Sequence, residues 1–293
     1  MNLSVIIPTK NRKGLLLECI RSIMEQTHLP EELIIVDQSE ESEERLLRNN
    51  VTWEHVKFIY IWDINISGLT AARNTGISKA SGDVILFLDD DVVLEADYIV
   101  TILDIYRKDF SKEIGGVGGL ITNFNFTSFW GNLSKVICRG PWKNHYDFWY
   151  RKGEGLLSTH FLSGCNMSYR KEVLDRFKFD ERLTGICMGE DRFFSYQVSK
   201  YFKLYMVAGA KLQHKVSPVS RNKERNLRSL SIYSNYYFYK NYVDKTFYNI
   251  FCYSLNMFGN AFISLLSGNK ERIIGTYSAL AKIIMGKYLL SNS

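Results

Sequence analysis

The feature that most constrains the fold is an unbroken apolar run, 84–88, that ends directly in three aspartates, Asp89, Asp90 and Asp91. Five apolar residues without alternation predict a strand that is buried on both faces, as in a parallel sheet. Ligands of open parallel sheets bind at the carboxyl ends of the strands, so the aspartates follow the strand where a ligand is expected. Carboxylates this close together either raise one another's pKa or bind a cation. The alternative is a solvated acidic loop.

Segments with strand and helix patterns alternate through the first half of the chain. We predict strands at 3–8, 33–36, 58–62 and 84–88, and helices at 12–26, 40–48, 69–80 and 95–106. This alternation is typical of βαβ units with right-handed crossovers. The pattern further along predicts strands at 117–122 and 204–208 and helices at 170–177 and 191–200, with a long aromatic-rich loop at 124–160. The fold class is therefore α/β, with a mostly parallel sheet flanked by helices.

The C-terminal part of the chain differs from the rest in charge and pattern. The net charge is +6, and residues 211–245, with eight Lys and Arg against two acids, account for all of it. From about Arg221 onward the pattern is helical, so we predict an α/β domain at 1–217, with halves at 1–122 and 123–217, and a helical extension at 218–293. A basic segment beside an apolar one suggests a negatively charged partner, such as membrane lipid or a phosphate-bearing substrate.

The helical extension contains two segments that could contact a membrane. Residues 246–269 carry no charge and are long enough to span a bilayer, but polar and small residues interrupt them at Asn249, Asn256, Gly259 and Asn260. The last helix has a basic face opposite an apolar one formed by Ile273, Tyr277, Leu280, Ile284 and Tyr288. Such a helix is typical of a membrane interface. The alternative is that the extension packs on the α/β domain or on a second subunit of a homo-oligomer.

Cysteine usage and the N-terminus favour a reducing compartment. The five cysteines are scattered, and no pair has the spacing of metal ligands. The first residues lack the basic region and cleavage site of a signal peptide and are predicted to form the first strand. We therefore expect a cytoplasmic protein with reduced thiols. The chain has no recognised nucleic-acid module, so no nucleic-acid partner is predicted.

Six motifs follow one another in a specific order. They are 5–12 (VIIPTKNR), 34–39 (IIVDQS), 68–77 (GLTAARNTGI), 87–91 (FLDDD), 162–170 (LSGCNMSYR) and 189–191 (GED). In this order and rhythm they resemble the family 2 glycosyltransferases, which have the GT-A fold. The resemblance covers about residues 2–217 and implies a nucleotide-binding half at 1–122 and an acceptor-binding half at 123–217.

The resemblance implies a UDP- or dTDP-sugar donor. Asp37, at a strand tip, can accept a hydrogen bond from a base, and the matching Asp of the family contacts uracil or thymine. Its alternative is an N-cap of the next helix. Pro8, Thr9 and Arg12 are expected to flank the same nucleotide. Arg73 is expected to contact the diphosphate, and its alternative is a surface ion pair.

The resemblance also implies a divalent cation, Mn or Mg. Asp89 and Asp91 are two residues apart and project to the same side of an extended backbone, whereas Asp90 projects away. We expect Asp91 to ligate the cation and Asp89 to hold the cation and the donor, with Asp90 also near the nucleotide. His214 occupies a position where many relatives carry a His near the metal or the diphosphate. Its alternative is a structural histidine.

The motif at 189–191 implies the catalytic group. A helix N-terminus alone explains the two carboxylates of Glu190 and Asp191. In the family, the Asp of this pair is the general base of an inverting displacement, so the resemblance assigns that role to Asp191, with Glu190 orienting the acceptor or supporting Asp191.

Further residues are expected near the sugars. Gly164, Cys165 and Asn166 match a family segment near the donor sugar. Trp142 and Trp149 either stack on sugar rings or form the core of the loop.

The implied function is transfer of one sugar at a time, because the chain lacks the Gln-x-x-Arg-Trp motif and the several apolar spans of processive synthases. The acceptor is expected to be a saccharide, lipid-linked, in bacterial surface polysaccharide or glycan biosynthesis at the inner face of the plasma membrane.

A nucleotidyltransferase is disfavoured because residues 8–12 are not glycine-rich. A non-catalytic nucleotide-binding module of an assembly complex is disfavoured by the presence of Asp89, Asp91 and Asp191.

Overall fold

The computed structural model describes residues 1–123, 137–143, 155–184, 188–215 and 224–287. The chain forms two compact units. One comprises 1–124, 148–184 and 190–216, and the other comprises 125–147, 185–189 and 217–293. Each unit is described by itself below.

The first unit is built on a sheet in which nine strands are described. Its strands are β1 (Leu3–Thr9), β2 (Glu32–Asp37), β3 (Lys57–Trp62), β4 (Val84–Leu88), β5 (Val92–Leu94), β6 (Ile114–Ile121), β7 (Leu156–Thr159), β8 (Asn166–Arg170) and β9 (Lys203–His214). The helices described in this unit are α1 (Lys13–Met24), α2 (Glu44–Asn50), α3 (Leu69–Lys79), α4 (Tyr98–Lys108), α5 (Lys171–Arg176) and α6 (Glu190–Ser199).

The sheet is mixed, with a parallel half formed by the first four strands. Its order is β3-β2-β1-β4-β8-β6-β9-β5, and β7 pairs with β9. β1 lies parallel between β2 and β4, whereas β8 is antiparallel to both β4 and β6. Every residue of β1, β2 and β4 is buried, because helices cover both faces of these strands. The predicted α/β class with a mostly parallel sheet is confirmed.

Three strands were not predicted, and a fourth is longer than predicted. β7 lies inside the segment predicted as a long loop, β8 lies directly before α5, and β5 is only three residues long. β9 continues from Lys203 to His214 instead of ending at Ala208. Its second half alternates between exposed residues at Gly209, Lys211 and Gln213 and buried residues between them, which is the pattern of a half-buried strand.

The second unit is helical. It contains α7 (Glu224–Tyr242), α8 (Phe247–Leu266), α9 (Lys270–Ile284) and a 3₁₀ turn at Gly140–Trp142. Trp142 is fully buried and packs against Phe238, Tyr239 and Tyr253, so it is a core residue and not a sugar platform. Trp149 lies outside the described residues. The predicted helical C-terminal region is confirmed, and in the part of the chain that the structure covers no helix has the length and hydropathy needed to cross a membrane.

Two glycine-to-alanine substitutions test how tightly β6 and β9 pack. A Cβ on Gly119 would lie 2.5 Å from both the Ala210 carbonyl and the Tyr98 ring, whereas a Cβ on Gly14 has no neighbour within 4 Å. We expect Gly119→Ala to lower the free energy of unfolding by about 1–3 kcal/mol. Gly14→Ala, in a helix, should leave it unchanged or raise it by about 0.5–1 kcal/mol. Urea denaturation of both variants measures the difference, and equal stabilities would contradict the packing described.

Candidate active site

The three aspartates after β4 lie between β4 and β5, and the middle one is held by the tip of β1. Thr9 Oγ1 donates a hydrogen bond of 2.7 Å to Asp90, and Arg12 Nη1 donates one of 2.8 Å. Arg12 Nη1 also lies 3.3 Å from Asp91. Burial raises the pKa of Asp90 to about 6, although its bonds to Thr9 and Arg12 favour the charged form. Asp90, Thr9 and Arg12 thus form one hydrogen-bonded cluster.

Asp89, Asp91 and His214 form a group that could hold a cation. One ligand atom from each lies within 4.8 Å of the others. The antiparallel pairing of Val92 with His214 brings the imidazole to this place, and its Nε2 lies 3.0 Å from Asp91 Oδ1. Burial lowers the pKa of His214, but the adjacent Asp91 raises it by more, so the net shift is upward. His214, for which a purely structural role was the alternative, therefore faces the aspartates.

The residues present fit a divalent cation. Asp91 Oδ1 is buried, and His214 Nε2 lies 3.0 Å from it without the geometry of a good hydrogen bond. A buried carboxylate oxygen is costly unless a cation or a proton lies beside it, and either a divalent cation or the protonated imidazole meets this need. Two carboxylates with one imidazole form an oxygen-rich donor set of the type that binds hard divalent cations.

Arg73, on α3, is buried next to Asp89, and 1% of its surface is exposed. Its Nη1 donates a hydrogen bond of 3.0 Å to Glu190, and its Nη2 donates one of 3.1 Å to the Gly164 carbonyl. Nη2 also lies 3.6 Å from Asp89 Oδ1, and the guanidinium is 5.4 Å from the ring of Phe179. Arg73 therefore connects the end of β4, the loop before β8 and the start of α6. In this position the guanidinium is enclosed by protein, so a direct contact with a diphosphate stays a prediction.

The two carboxylates of the 189–191 motif lie at the first turn of α6, as predicted. The Gly164 N–H donates a hydrogen bond of 2.8 Å to Asp191 Oδ2, and the Arg192 N–H donates one of 2.7 Å to Oδ1. Asp191 is partly exposed, whereas Glu190 is buried. Burial raises the pKa of Glu190, the adjacent Asp191 adds to the effect, and Arg73 opposes it.

Gly164 is the contact point between Arg73 and Asp191. A Cβ at this position would lie 2.9 Å from Arg73 Nη2 and 3.3 Å from Asp191. Since its N–H and its carbonyl bind these two side chains, a larger residue would displace one of them. Close approach explains why the loop has glycine here.

Cys165 and Asn166 are more deeply buried than residues in contact with a sugar would be. The Cys165 side chain belongs to the apolar core of the sheet, and burial raises the pKa of its thiol. The Asn166 side chain is 1% exposed and donates a hydrogen bond of 3.2 Å to the Gly119 carbonyl. Both residues support the loop that carries Gly164.

Asp37 ends β2 and is fully buried. One of its oxygens accepts a 2.8 Å bond from the Ser39 N–H, and the other accepts the Tyr60 hydroxyl. These bonds close the turn after β2, and α2 begins only at Glu44, so Asp37 is not its N-cap. Pro8 and Thr9 pair with Val36 and Asp37, so the predicted nucleotide-binding positions of β1 and β2 lie side by side.

Glu43 is a buried acid in this region that sequence reasoning missed. Both of its carboxylate oxygens are buried and have no hydrogen-bond partner among the residues that the structure describes, and the side chain is 1% exposed. Burial and the nearby Asp37 raise the pKa of Glu43 to about 7. The sequence offers no signal for this, because Glu43 belongs to a run of acidic residues that would ordinarily be a solvated face.

Comparison with known proteins identifies the family. The family model described as glycosyl transferase family 2 matches residues 4–177 of the 293 in this chain. The chain belongs to glycosyl transferase family 2. The predicted family is thereby confirmed, and with it the predicted class of enzyme, a glycosyltransferase.

Two relatives show how much of the chain is similar to curated proteins. Glycosyltransferase GlyA of Streptococcus pneumoniae is 35% identical over 184 residues, which cover 62% of this chain and 21% of GlyA. The GalNAc(5)-diNAcBac-PP-undecaprenol beta-1,3-glucosyltransferase of Campylobacter jejuni is 27% identical over 212 residues, which cover 70% of this chain and 64% of the relative. The chain thus spans about a fifth of the first relative and less than two thirds of the second.

A solved structure shares the fold. The mannosyltransferase PcManGT of Pyrobaculum calidifontis, in complex with GDP-Man and Mn²⁺, matches with a TM-score of 0.63 at 15% identity. The match covers 98% of this chain and 76% of PcManGT. At this identity the similarity shows the fold, and the predicted GT-A architecture is confirmed.

Replacement of Glu43 tests whether burial raises the pKa of its carboxyl. Because the folded pKa lies above the unfolded value, the folded state favours the protonated form, and stability falls as the pH rises from about 4.5 to about 7. Glu43→Gln should remove this fall and raise the free energy of unfolding at pH 8 by about 1–2 kcal/mol, after allowance for solvent screening. Denaturation from pH 4.5 to pH 8 measures it, with the exposed Glu54→Gln as control. A parallel pH dependence in Glu43→Gln and the wild type would contradict the assignment.

Proposed function

We propose that the chain is a metal-dependent inverting glycosyltransferase that moves one sugar from a UDP- or dTDP-sugar to a hydroxyl of a saccharide acceptor. We propose further that the acceptor is lipid-linked and that the product belongs to bacterial surface polysaccharide or glycan biosynthesis. Family 2 membership supports the class of reaction, and the site in the first unit supports the roles assigned below.

One observation carries the proposal: the candidate base and the candidate cation site belong to a single connected network. Arg73 binds Glu190 and the Gly164 carbonyl and lies 3.6 Å from Asp89, while the Gly164 N–H binds Asp191. A transferase needs its leaving-group site and its base held at a fixed separation, because a small error in the position of the reacting atoms is costly. A connection through hydrogen bonds and the buried guanidinium of Arg73 meets that need.

Asp89, Asp91 and His214 would hold the cation, Mn or Mg. When bound, such a cation neutralises the nucleoside diphosphate as it leaves. Thr9 and Arg12 hold Asp90 against the tip of β1, which leaves Asp91 Oδ1 for the cation. The residues proposed to bind the nucleotide are Pro8, Thr9, Arg12, Asp37, Asp89 and Asp90, and Arg73 is proposed to act on the diphosphate from its buried position behind Asp89.

Asp191 acts as the general base in this proposal. The acceptor oxygen forms a bond to the anomeric carbon while its proton passes to the Asp191 carboxylate. At the same time the bond from the anomeric carbon to the diphosphate oxygen breaks, and the diphosphate leaves with the electron pair. The hydrogen bonds from the backbone of Gly164 and Arg192 fix the orientation of the carboxylate, and its partial exposure gives the acceptor access. A positioned base contributes about 10²–10⁴-fold to the rate.

Glu190 and Arg73 act through other groups. Glu190 is buried against Arg73, and Arg73 in turn holds the Gly164 loop, so we infer that this pair positions Asp191 and Asp89. We propose that the region around the donor sugar is shaped by Gly164, Cys165 and Asn166. Cys165 and Asn166 would act from the protein interior, by supporting the loop that carries Gly164. The lipid-linked acceptor is supported by the Campylobacter relative, whose name specifies an undecaprenol-linked saccharide.

Nucleotide and metal binding can be tested by thermal stabilisation. A ligand that binds only the folded state raises the melting temperature. We expect UDP or dTDP, but not GDP or CDP, to raise the melting temperature of the wild type in the presence of Mn²⁺, with a smaller effect in EDTA. Asp91→Asn should lose the Mn²⁺-dependent part of this shift. A wild-type shift that is the same with and without metal would contradict the cation site.

The base is tested by Asp191→Asn. We expect a fall in the transfer rate of about 10²–10⁴-fold with the Mn²⁺-dependent stabilisation by nucleotide retained, since the amide keeps the shape but cannot take the proton. The control is Asp175→Asn, whose side chain is 61% exposed in the same unit. Full activity of Asp191→Asn would refute the assignment. A wild type that binds UDP with metal but transfers and hydrolyses no nucleotide sugar would instead favour a nucleotide-binding module.

A further inference from the structure

Helix α8 of the second unit exposes its largest apolar side chains. Four phenylalanines spaced four, seven and four residues apart form one stripe, which we name the phenylalanine face: Phe247, Phe251, Phe258 and Phe262. They are 89%, 57%, 77% and 59% exposed, and Leu265 and Leu266 extend the apolar surface at the end of the helix. An uncovered apolar surface of this kind marks an interaction site.

The buried face of α8 combines two apolar side chains, Met257 and Ile263, with small and polar residues. Asn256 is buried with its amide directed at the Cys138 sulfur, and Ser264 is buried with its hydroxyl 2.7 Å from that of Thr276 on α9. A Cβ on Gly259 would lie 2.5 Å from Ile137, so the helix approaches its neighbour closely there. Two of the residues that interrupt the apolar pattern of 246–269, Asn256 and Gly259, therefore face inward. Small residues and hydrogen-bonding side chains between helices, with apolar side chains outside, are the pattern of helices that contact lipid.

Helix α9 repeats this arrangement. Its buried residues are Gly275, Thr276 and Ala279, and a Cβ on Gly275 would lie 2.4 Å from the Arg225 carbonyl on α7. Ile284, by contrast, is 86% exposed near its C-terminal end. The Tyr277 hydroxyl donates to the Ala261 carbonyl and so joins the exposed sides of α8 and α9.

The charge on and around helices α8 and α9, which together we call the α8–α9 hairpin, indicates which kind of partner this surface binds. Residues 245–287 contain five Lys and Arg against one Glu, and α8 itself carries no charge. Lys270, Lys282 and Lys287 form no ion pair within the described ranges, and burial together with repulsion from Arg272 lowers the pKa of Arg228 to about 10. A second copy docked on the same face would bring like charges together, whereas an anionic lipid surface neutralises them.

We propose that the α8–α9 hairpin docks on an anionic phospholipid bilayer, with the phenylalanine face in the boundary between headgroups and acyl chains. Lys270, Lys282 and Lys287 supply the electrostatic attraction to the headgroups. Binding of this kind grows with the apolar area buried and with the charge of the lipid, and it weakens as salt is added. The inference depends only on the second unit and would hold whatever sugar the first unit transfers.

The test is flotation of the full chain with vesicles of phosphatidylcholine alone and of phosphatidylcholine with phosphatidylglycerol, without nucleotide sugar. We expect the wild type to float mainly with the anionic vesicles. The double variant Phe258→Ser, Phe262→Ser should bind about tenfold less or weaker still, since each phenylalanine contributes apolar area. Its substitutions are on exposed positions, so its melting temperature should stay near that of the wild type. The control is Phe110→Ser, a residue of the first unit that is 93% exposed.

Several results would overturn the proposal. The first is no flotation of the wild type with either vesicle. The second is equal flotation of the wild type and the double variant. The third is binding to neutral vesicles as strong as to anionic ones, which would remove the role of the lysines. The fourth is a wild-type dimer in light scattering that the double variant loses, which would make a second copy the partner of the phenylalanine face. A failed transfer assay would not affect any of these readouts.

Discussion

The candidate site depends on one buried cation, the guanidinium of Arg73. Removing a charge from water costs several kcal/mol, and the cost is offset only when the charge is well paired and hydrogen-bonded. Arg73 meets this condition through Glu190, the Gly164 carbonyl and Asp89, which come from three separate segments of the first unit. The same contacts that stabilise the guanidinium therefore set the relative positions of the acidic groups. Loss of Arg73 would leave Glu190 buried without its cation, so stability and site geometry are coupled at this residue.

The acidic groups of the site outnumber their cationic partners. Asp89, Asp90, Asp91, Glu190 and Asp191 lie close enough to influence one another electrostatically, and burial raises the pKa of Asp89 and of Glu190 despite the nearby Arg73. Burial, with a smaller contribution from repulsion between the acids, opposes their ionisation in the ligand-free fold, and a divalent cation would offset both effects. The proposed metal dependence thus follows from an electrostatic imbalance that the site contains before any substrate binds.

The local sequence pattern predicted those parts of the site whose residues are adjacent in the chain. The apolar strand Val84–Leu88 and the aspartates after it are adjacent in the chain, so periodicity alone located them. The contacts of Arg73 could not be predicted, because its partners Gly164 and Glu190 are 91 and 117 residues away. His214 reaches the aspartates through pairing with β5, a strand too short to give a pattern.

Helix α8 shows a different limit of sequence reasoning. The spacing of Asn256, Asn260 and Gly259 separates a polar side from an apolar one, but periodicity does not say which side faces the protein. Packing against Ile137 and Thr276 shows that the polar side is inward. The partners that decide this lie in other segments, which a pattern within one helix cannot represent.

The central claim is that Asp89, Asp91 and His214 hold a divalent cation beside the network of Arg73. The most direct measurement is anomalous X-ray diffraction from crystals of the protein grown with Mn²⁺ and UDP, with data collected at the manganese absorption edge. The account predicts one strong anomalous peak within bonding distance of Asp91 Oδ1, with UDP phosphate oxygens in its coordination shell. Bound UDP without a peak at this place, or a manganese peak bound by other residues, would contradict it.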